Sequence, residues 1–193
     1  MYDREVAGRE LTFGVSGMLY RNSLIMYDRE TGSLWSHLLG AAIRGPLEGA
    51  RLRLIPSTFT TWETWRRAHP ETLVLSPANA PYDAYEGYYE SGQTGISRIH
   101  RLDPRLPKKE LVLGVMAPSA KAYAFRDLER LGRIRDTLSG RPVEVVYRGP
   151  RSAEAFLHEP RGRRRLPATP IFWFAWVDFF PGAPLWRPPV RAG

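Results

Sequence analysis

Two stretches of the chain repeat one pattern of Pro, Thr and Trp residues. Five positions recur with a displacement of 111, namely Pro56, Thr58, Trp62, Trp65 and Pro70, and then Pro167, Thr169, Trp173, Trp176 and Pro181. Only six of the 193 residues are Trp, and four of the six fall into this register. A fixed internal period of this kind indicates that a chain is built from copies of one unit. The sequence therefore predicts a duplicated architecture.

Each copy is expected to contain a short helix, over residues 60–68 in the first and 170–179 in the second. In the second copy Thr169 can cap the helix, and the Pro after it suits the first helical position, where a missing N–H costs nothing. The candidate caps of the first copy are Thr60 and Thr61. Thr60 would form a capping box with the Glu three residues later. A Pro ends both helices at the same distance.

The paired Trp residues of each helix lie three positions apart, so they project from one face. Trp carries a large apolar area, and helical spacing on one face favours burial, so we interpret both pairs as core anchors. The alternative is an aromatic platform on which a ligand stacks. If the two copies face each other, Trp62 and Trp173 are its natural members.

The pattern of the rest of the sequence predicts short strands joined by tight turns. The expected strands cover residues 9–20, 24–28, 33–38, 110–116, 120–125, 141–147 and 153–157. The strand at 120–125 is expected to lead into a short helix that ends near Gly132. The fold class is therefore α+β, strand-rich and mostly antiparallel, with two unequal repeats that each end in a short Trp-bearing helix.

The chain is expected to form a single globular domain over residues 1–193. We place a partial first repeat at 1–77, a connecting loop at 78–107 and the second repeat at 108–193. Residues 78–93 are rich in Tyr, Pro and Gly and lack helix or strand periodicity, which predicts a long surface loop. The tyrosines of that loop either pack over the seam between the repeats or are exposed for binding; they are Tyr82, Tyr85, Tyr88 and Tyr89.

The formal net charge is +8, and 25 of the 28 basic residues are Arg, spread along the whole chain. One dense cluster lies in a turn-like stretch between two prolines and consists of Arg161, Arg163, Arg164 and Arg165. A solvated loop is the simple interpretation of this cluster, and binding of phosphate or a polyanion is the alternative. We do not expect nucleic acid as a partner, because an excess of Arg over Lys also follows from a GC-rich or thermophilic source.

Several kinds of chemistry have no support in the sequence. There is no Cys, which excludes disulfides, thiolate catalysis and Cys-ligated metals within these residues. The four His residues share no metal-binding spacing, and no phosphate loop, HExxH motif or nucleophile elbow is present, so we expect no metal and no cofactor. No apolar run approaches the ~20 residues of a membrane helix, and the N-terminal residues do not follow a signal-peptide pattern.

A group of polar residues near glycines and aromatics is the candidate polar pocket, consisting of Ser16, Asn22, Ser23, Asp28 and His37. One interpretation is turn chemistry, in which Asn22 and Ser23 close a hairpin and Asp28 pairs with a neighbouring Arg. The other is a functional pocket, with His37 at its rim as a proton carrier. A nucleophile, a base and an orienting group cannot be assembled from the sequence alone, so we assign no catalytic residues.

Eight short motifs lie at residues 3–5, 11–17, 21–23, 26–29, 31–35, 120–123, 141–143 and 172–176. On these motifs rests a resemblance to the prokaryotic family catalogued as domain of unknown function 3179. It covers nearly the whole chain, and its motifs are specific. Because the family has no established activity, the resemblance implies a fold but no particular reaction.

The resemblance also implies that the chain is an N-terminally truncated member. Members of the family carry, before the segment that matches residues 1–13, another strand block like 110–147 and then a Cys-Pro-Leu-Cys-like motif, in some members with selenocysteine. Residues 147–152 stand in place of a second such motif and contain no redox-active side chain. We therefore expect strand 9–20 to be an exposed edge, so that the chain either self-associates through it or is more mobile in residues 1–20, while the second half stays ordered.

Two functions follow as hypotheses. The first is a non-catalytic part of a protein with thiol or selenol redox or binding chemistry, which the resemblance places outside the cytoplasm. The second is a binding module for an anionic polymer through the Arg-rich surface.

Overall fold

The structure is a computed structural model that describes residues 1–74, 86–95, 99–116 and 119–189. Within these ranges the fold is α+β and strand-rich, and neighbouring strands of every sheet are antiparallel, as predicted. The strands are β1 (Glu5–Val6), β2 (Arg9–Glu10), β3 (Phe13–Tyr20), β4 (Ser23–Asp28), β5 (Leu34–Ser36), β6 (Ala41–Arg44), β7 (Leu111–Val115), β8 (Lys121–Ala124), β9 (Arg133–Leu138), β10 (Arg141–Gly149), β11 (Ser152–Glu159), β12 (Gly162–Leu166) and β13 (Ala168–Phe172). The helices are α1 (Trp62–Ala68), α2 (Glu86–Glu90), α3 (Phe125–Leu131) and α4 (Trp173–Phe179).

The first half of the chain is built on a four-stranded meander in the order β3-β4-β5-β6. The tip of the β3–β4 hairpin is a two-residue turn in which Arg21 and Asn22 have φ values of 49° and 61°. Two positive φ values give the turn type whose twist matches that of paired strands. Trp35, fully buried, packs with Leu11 and Leu52 on one side of this sheet.

The predicted single strand over residues 9–20 is wrong, because the chain bends between β2 and β3. Leu11 is 1% exposed and turns into the core, where its backbone N–H donates to the Arg4 carbonyl oxygen. Val15, in contrast, is 69% exposed on β3. The alternating apolar pattern correctly predicted extended backbone, but the chain turns at Leu11 to reach the core, and this turn divides the extended segment into two strands.

The second half contains two sheets, one in the order β12-β11-β10-β9 and the other in the order β13-β7-β8. The apolar faces of these sheets meet in one core, in which Val145, Leu157 and Leu113 are inaccessible to solvent. Helix α3 follows β8 directly and ends at Gly132, whose φ of 67° suits a residue without Cβ. The predicted strands of this half and the end of α3 are confirmed, whereas β9, β12 and β13 were not predicted.

Helices α1 and α4 begin and end at positions displaced by 111, in agreement with the repeated motif. The predicted start of the second helix is wrong, because Thr169 lies in β13 and the helix begins three residues after Pro170. Strand β13 is an edge strand, where the missing N–H of a Pro is tolerated. The capping box at Thr60 is also wrong: Thr61 is the N-cap, and its hydroxyl accepts from the Thr64 backbone N–H.

The connecting loop over 78–107 contains the short helix α2. Residues 75–85 and 96–98 lie outside the described residues, so the predictions for Tyr82 and Tyr85 fall outside the structure, as does that for the side chain of Tyr89. Tyr88 is half-buried, and its carbonyl oxygen accepts a hydrogen bond from Lys109. No described helix has the length and apolar composition needed to cross a membrane. The duplication of the whole repeats, as distinct from the two helices, stays a prediction.

Candidate functional site

The carboxylate of Asp28 is fully buried and closes the turn between β4 and β5. One of its oxygens accepts from the Trp35 indole N–H at 2.8 Å, and the other accepts from the Thr31 backbone N–H at 2.6 Å and the Thr31 hydroxyl at 2.8 Å. Burial raises the pKa of Asp28, but these hydrogen bonds lower it by more, so the net pKa lies below the ordinary value. Asp28 is therefore a structural residue of a tight turn.

The other polar candidates of the β3–β4 hairpin also serve its backbone. The Ser16 hydroxyl donates to the Ile25 carbonyl oxygen at 2.6 Å and accepts from the Met18 N–H, which closes a bulge in β3. Asn22 forms the hairpin tip, and Ser23 begins β4 opposite Tyr20. Asp28 lies at the opposite end of the same hairpin, paired with Phe13.

His37 occupies a separate place, beside the N-terminal residues. Its ring meets the ring of Tyr2 edge-on with centroids 5.9 Å apart, and its carbonyl oxygen accepts from the Tyr2 hydroxyl. Burial lowers the pKa of His37, and burial raises the pKa of Tyr2 to about 12. The structure thus distributes the five polar candidates over both hairpin ends, the bulge and a separate contact, so it does not bring them together in one pocket. Among the described residues no cluster of His, Asp or Glu could hold a metal ion.

Three members of the Arg cluster, Arg163, Arg164 and Arg165, lie on β12, which pairs with β11, whereas Arg161 lies in the turn before this strand. The predicted turn-like loop is therefore wrong for three of the four residues. Arg164 contacts Glu159 at 3.0 Å, and Arg165 contacts Glu154 at 3.0 Å. Arg163 lies over the ring of Phe156 and reaches the carboxylate of Glu144 at 3.4 Å. Three of the four guanidinium groups are thereby paired with carboxylates of the same sheet.

Glu144 is the centre of this charged surface, the outer face of the β9–β12 sheet. Its side chain is only 4% exposed although it points away from the apolar core, because three arginines cover it: Arg133 at 2.8 Å, Arg163 at 3.4 Å and Arg135 at 3.9 Å. The arginines of this face neutralise a buried carboxylate, which leaves less of their charge for a polyanion.

The two Trp pairs have opposite environments. Trp173 is 1% exposed and Trp176 is inaccessible to solvent, so the core-anchor prediction is correct for α4. Trp62 is 49% exposed, Trp65 is 36% exposed, and α1 has no buried residue, so the same prediction is wrong for α1. Because Trp173 is buried, only Trp62 of the predicted two-Trp platform offers an open ring.

Helix α1 is held in place from the segment before it. The Arg165 guanidinium donates to the Ser57 carbonyl oxygen at 3.0 Å and to the Thr58 hydroxyl at 3.2 Å, while its ion pair with Glu154 fixes it to the sheet. A cleft separates residues 58–64 from β10 and β11. The Trp65 indole N–H donates to the Thr72 hydroxyl at 2.9 Å, so this side chain has a defined orientation although it is exposed.

The family described as "Protein of unknown function (DUF3179)" matches residues 1–164 of the chain. The chain belongs to this family. The DUF3179 match covers strands β1 to β11 and helices α1 to α3, and it ends within β12. No curated protein and no solved structure gave a significant match.

Sequence reasoning missed one unusual residue of this DUF3179 chain, Asp178. It lies in α4 with 1% exposure, and neither carboxylate oxygen accepts a hydrogen bond from the described residues. An acidic residue within an otherwise apolar helix was the available signal. The tip of the β3–β4 hairpin packs beside it, where Arg21 donates to the Asp178 backbone carbonyl oxygen at 2.6 Å.

Proposed function

We propose that this DUF3179 chain is a protein-binding module without catalysis of its own, and that it presents the aromatic face of α1 to a partner. This face consists of Trp62, Trp65 and His69. One observation carries the proposal: α1 has two large aromatic side chains that the described part of the fold does not bury. Exposed Trp residues at a defined orientation are typical anchors of protein interfaces.

The fate of the polar candidates supports the same proposal. The Asp28 carboxylate hydrogen-bonds within a turn and the Ser16 hydroxyl within a bulge. The carboxylate of Glu144 is likewise paired with arginines. A catalytic site requires groups that converge on a place where a substrate can sit. The structural use of these side chains therefore favours binding over catalysis.

The thiol or selenol chemistry implied by the resemblance is a separate matter. The 193 residues contain no Cys, so a thiol or selenol would have to come from outside this sequence. We propose that the contribution of this chain to such a protein is contact with a partner.

The proposal is tested by comparing the equivalent Trp residues of the two helices. Trp62→Ala should change the free energy of unfolding by less than about 1 kcal/mol, because much of the ring is already in water. Trp173→Ala should cost about 3–5 kcal/mol, because it removes a fully buried indole. Chemical denaturation followed by far-UV circular dichroism measures both values.

The double variant Trp62→Ala and Trp65→Ala extends the test to the whole aromatic face. We expect a loss of no more than about 2 kcal/mol, part of it from the Trp65 hydrogen bond to Thr72. A loss as large as that of Trp173→Ala would show that the pair serves the fold, and the proposed function would then be wrong.

A further inference from the structure

Helices α1 and α4 share one local frame down to their caps. The N-cap residues Thr61 and Phe172 have φ and ψ of −73° and 152° and of −70° and 144°, respectively. The C-cap residues His69 and Phe180 each donate a backbone N–H to the carbonyl oxygen of the second Trp. The two helices therefore present their side chains in the same directions.

The aromatic contact at the end of each helix is also the same. The rings of Trp65 and His69 lie 4.1 Å apart at 35°, and those of Trp176 and Phe180 lie 4.3 Å apart at 34°. In α1 both residues of this arrangement are exposed, and none of the residues that the structure describes covers them. The aromatic face of α1 is thus preorganised, which lowers the entropy cost of binding.

In α4 the cover of this face is known, and it is the β7–β8 hairpin with the segment before it. A methyl group added at Gly114 of β7 would overlap the Trp176 indole, so the ring lies directly against the glycine backbone. Small and apolar side chains of the hairpin complete the contact: Val112, Ala122 and Ala124. The Trp173 indole N–H donates to the Asp103 carbonyl oxygen at 3.0 Å.

Helix α1 differs from α4 in a way that limits the size of its cover. Where α4 has Phe174 and Asp178, α1 has Glu63 and Arg67, which form an exposed ion pair. Val177 is likewise replaced by the exposed Arg66. Only the face with Trp62 and Trp65 stays apolar, so the expected cover is a thin element on one side instead of a surrounding core.

We infer that the partner of α1 is a β-hairpin that places a glycine against Trp65, as β7 places Gly114 against Trp176. The inference rests on the proposed function and specifies its partner. The hairpin would carry small apolar residues beside the glycine and an acidic side chain near Arg66, which is exposed at the border of the face.

The probe for this inference is a peptide with the sequence of residues 110–125, the chain's own hairpin. Because an isolated hairpin is marginally stable, the peptide is closed by a disulfide between added terminal cysteines and carries a fluorescein label. Fluorescence anisotropy is measured as the full chain is added. We expect saturable binding that weakens at least about tenfold in the Trp62→Ala and Trp65→Ala double variant, the effect of losing interface anchors.

Two matched controls distinguish binding at this site from nonspecific binding to apolar surfaces. Leu131→Ala removes an exposed apolar side chain from another helix, α3, and should leave the affinity unchanged. A peptide carrying Gly114→Leu should lose binding, because a side chain at that position would keep the Trp65 ring away. Trp65→Phe, which retains a smaller ring, should have an intermediate affinity.

Three outcomes of the anisotropy measurements would overturn the inference. The first is no saturable binding, the second is binding that is indifferent to the Trp variants, and the third is equal binding of the Gly114→Leu peptide. If the Trp62 and Trp65 variants are stable but no hairpin binds, this inference fails and the proposed function stands. If those variants are strongly destabilised, the proposed function fails as well. The oligomeric state of the chain alone is measured by analytical ultracentrifugation. A dimer that is lost in the Trp62→Ala and Trp65→Ala double variant would identify a second copy as the occupant of the aromatic face and would also overturn the inference.

Discussion

Asp28 and Trp35 form the most completely satisfied polar contact of the first half. The fully buried carboxylate accepts an indole N–H, a backbone N–H and a hydroxyl. A buried group of this kind stabilises a fold only while all of its partners are present, because an unmade hydrogen bond costs the full loss of hydration. The turn between β4 and β5 therefore depends on one ionised side chain.

We predict that Asp28→Asn destabilises the chain by about 1–3 kcal/mol at pH 7, because the amide cannot accept from both sides without turning an N–H toward Trp35. The pKa of Asp28 is lowered in the fold, so its contribution is present above the unfolded pKa, about 3.9, and is lost as the pH falls through the folded pKa. Denaturation at pH 7 and at pH 3 should show the difference from the parent shrinking with acid. Glu10→Gln, at an exposed carboxyl, is the control, and a difference that stays constant with pH would contradict the assignment.

At the scale of elements, β3 is an edge strand with three exposed apolar side chains, Val15, Met18 and Leu19. Such an edge offers unpaired backbone groups to another chain, although the bulge at Ser16 interrupts the regular pairing pattern. Strand β10 lies between β9 and β11 and has partners on both sides. The two strands should therefore differ in protection.

We predict that the backbone amides of β3 exchange with solvent much faster than those of β10 in a dilute sample. If the chain self-associates through β3, protection of this strand should rise with protein concentration while that of β10 stays constant. Hydrogen exchange followed by mass spectrometry at two concentrations measures both effects. Strong and equal protection of both strands in a dilute monomer would mean that β3 is not a free edge.

Elements defined by local chemistry could be predicted from the sequence, and those defined by distant partners could not. The end of α3 follows from Gly132, and the β4–β5 turn follows from the Gly and polar residues within it. The start of α4 was misjudged because a Thr-Pro pair has the same local pattern at a helix cap and on an edge strand, and pairing with β7 decides between them. The exposure of Trp62 was misjudged for the same reason, since only the presence of a covering hairpin separates it from Trp173.

For the candidate site the local interpretation was again the better predictor. Turn chemistry for Asn22 needed only neighbouring residues, and it agrees with the position of Asn22 at the hairpin tip. The predicted pairing of Asp28 with a neighbouring Arg is wrong, because its carboxylate accepts from Thr31 and from the more distant Trp35 instead. The pairing of Arg163 with Glu144 depends on the neighbouring strands of the sheet, which the sequence did not align. That the Asp178 carboxylate has no hydrogen-bond partner among the described residues could not be predicted, because it depends on how the whole second half packs around α4.

At the scale of the whole molecule, the excess of positive charge, +8, is spread along the chain, and several arginines of the β9–β12 sheet are paired with carboxylates of that sheet. We therefore predict no micromolar binding of random duplex DNA at 50 mM salt, measured by fluorescence anisotropy. Glu159→Gln, which removes the partner of Arg141 and Arg164, is the matched variant and should raise any weak binding seen at lower salt. Tight binding by the parent, with log K falling by about 0.9 per neutralised phosphate as log salt rises, would instead support the anionic-polymer function.

The contact of the β3–β4 hairpin tip with α4 has a consequence for how the molecule comes apart. The Tyr20 ring meets Phe179 edge-on, and Arg21 donates to the Asp178 carbonyl oxygen. Within the ranges that the structure describes, the Asp178 carboxylate beside them has no hydrogen-bond partner. Water that entered on separation of the tip would hydrate that carboxylate and repay part of the lost contact. We therefore expect the tip to separate early, and because trypsin cleaves after Arg21, limited proteolysis should give an early fragment that begins at Asn22.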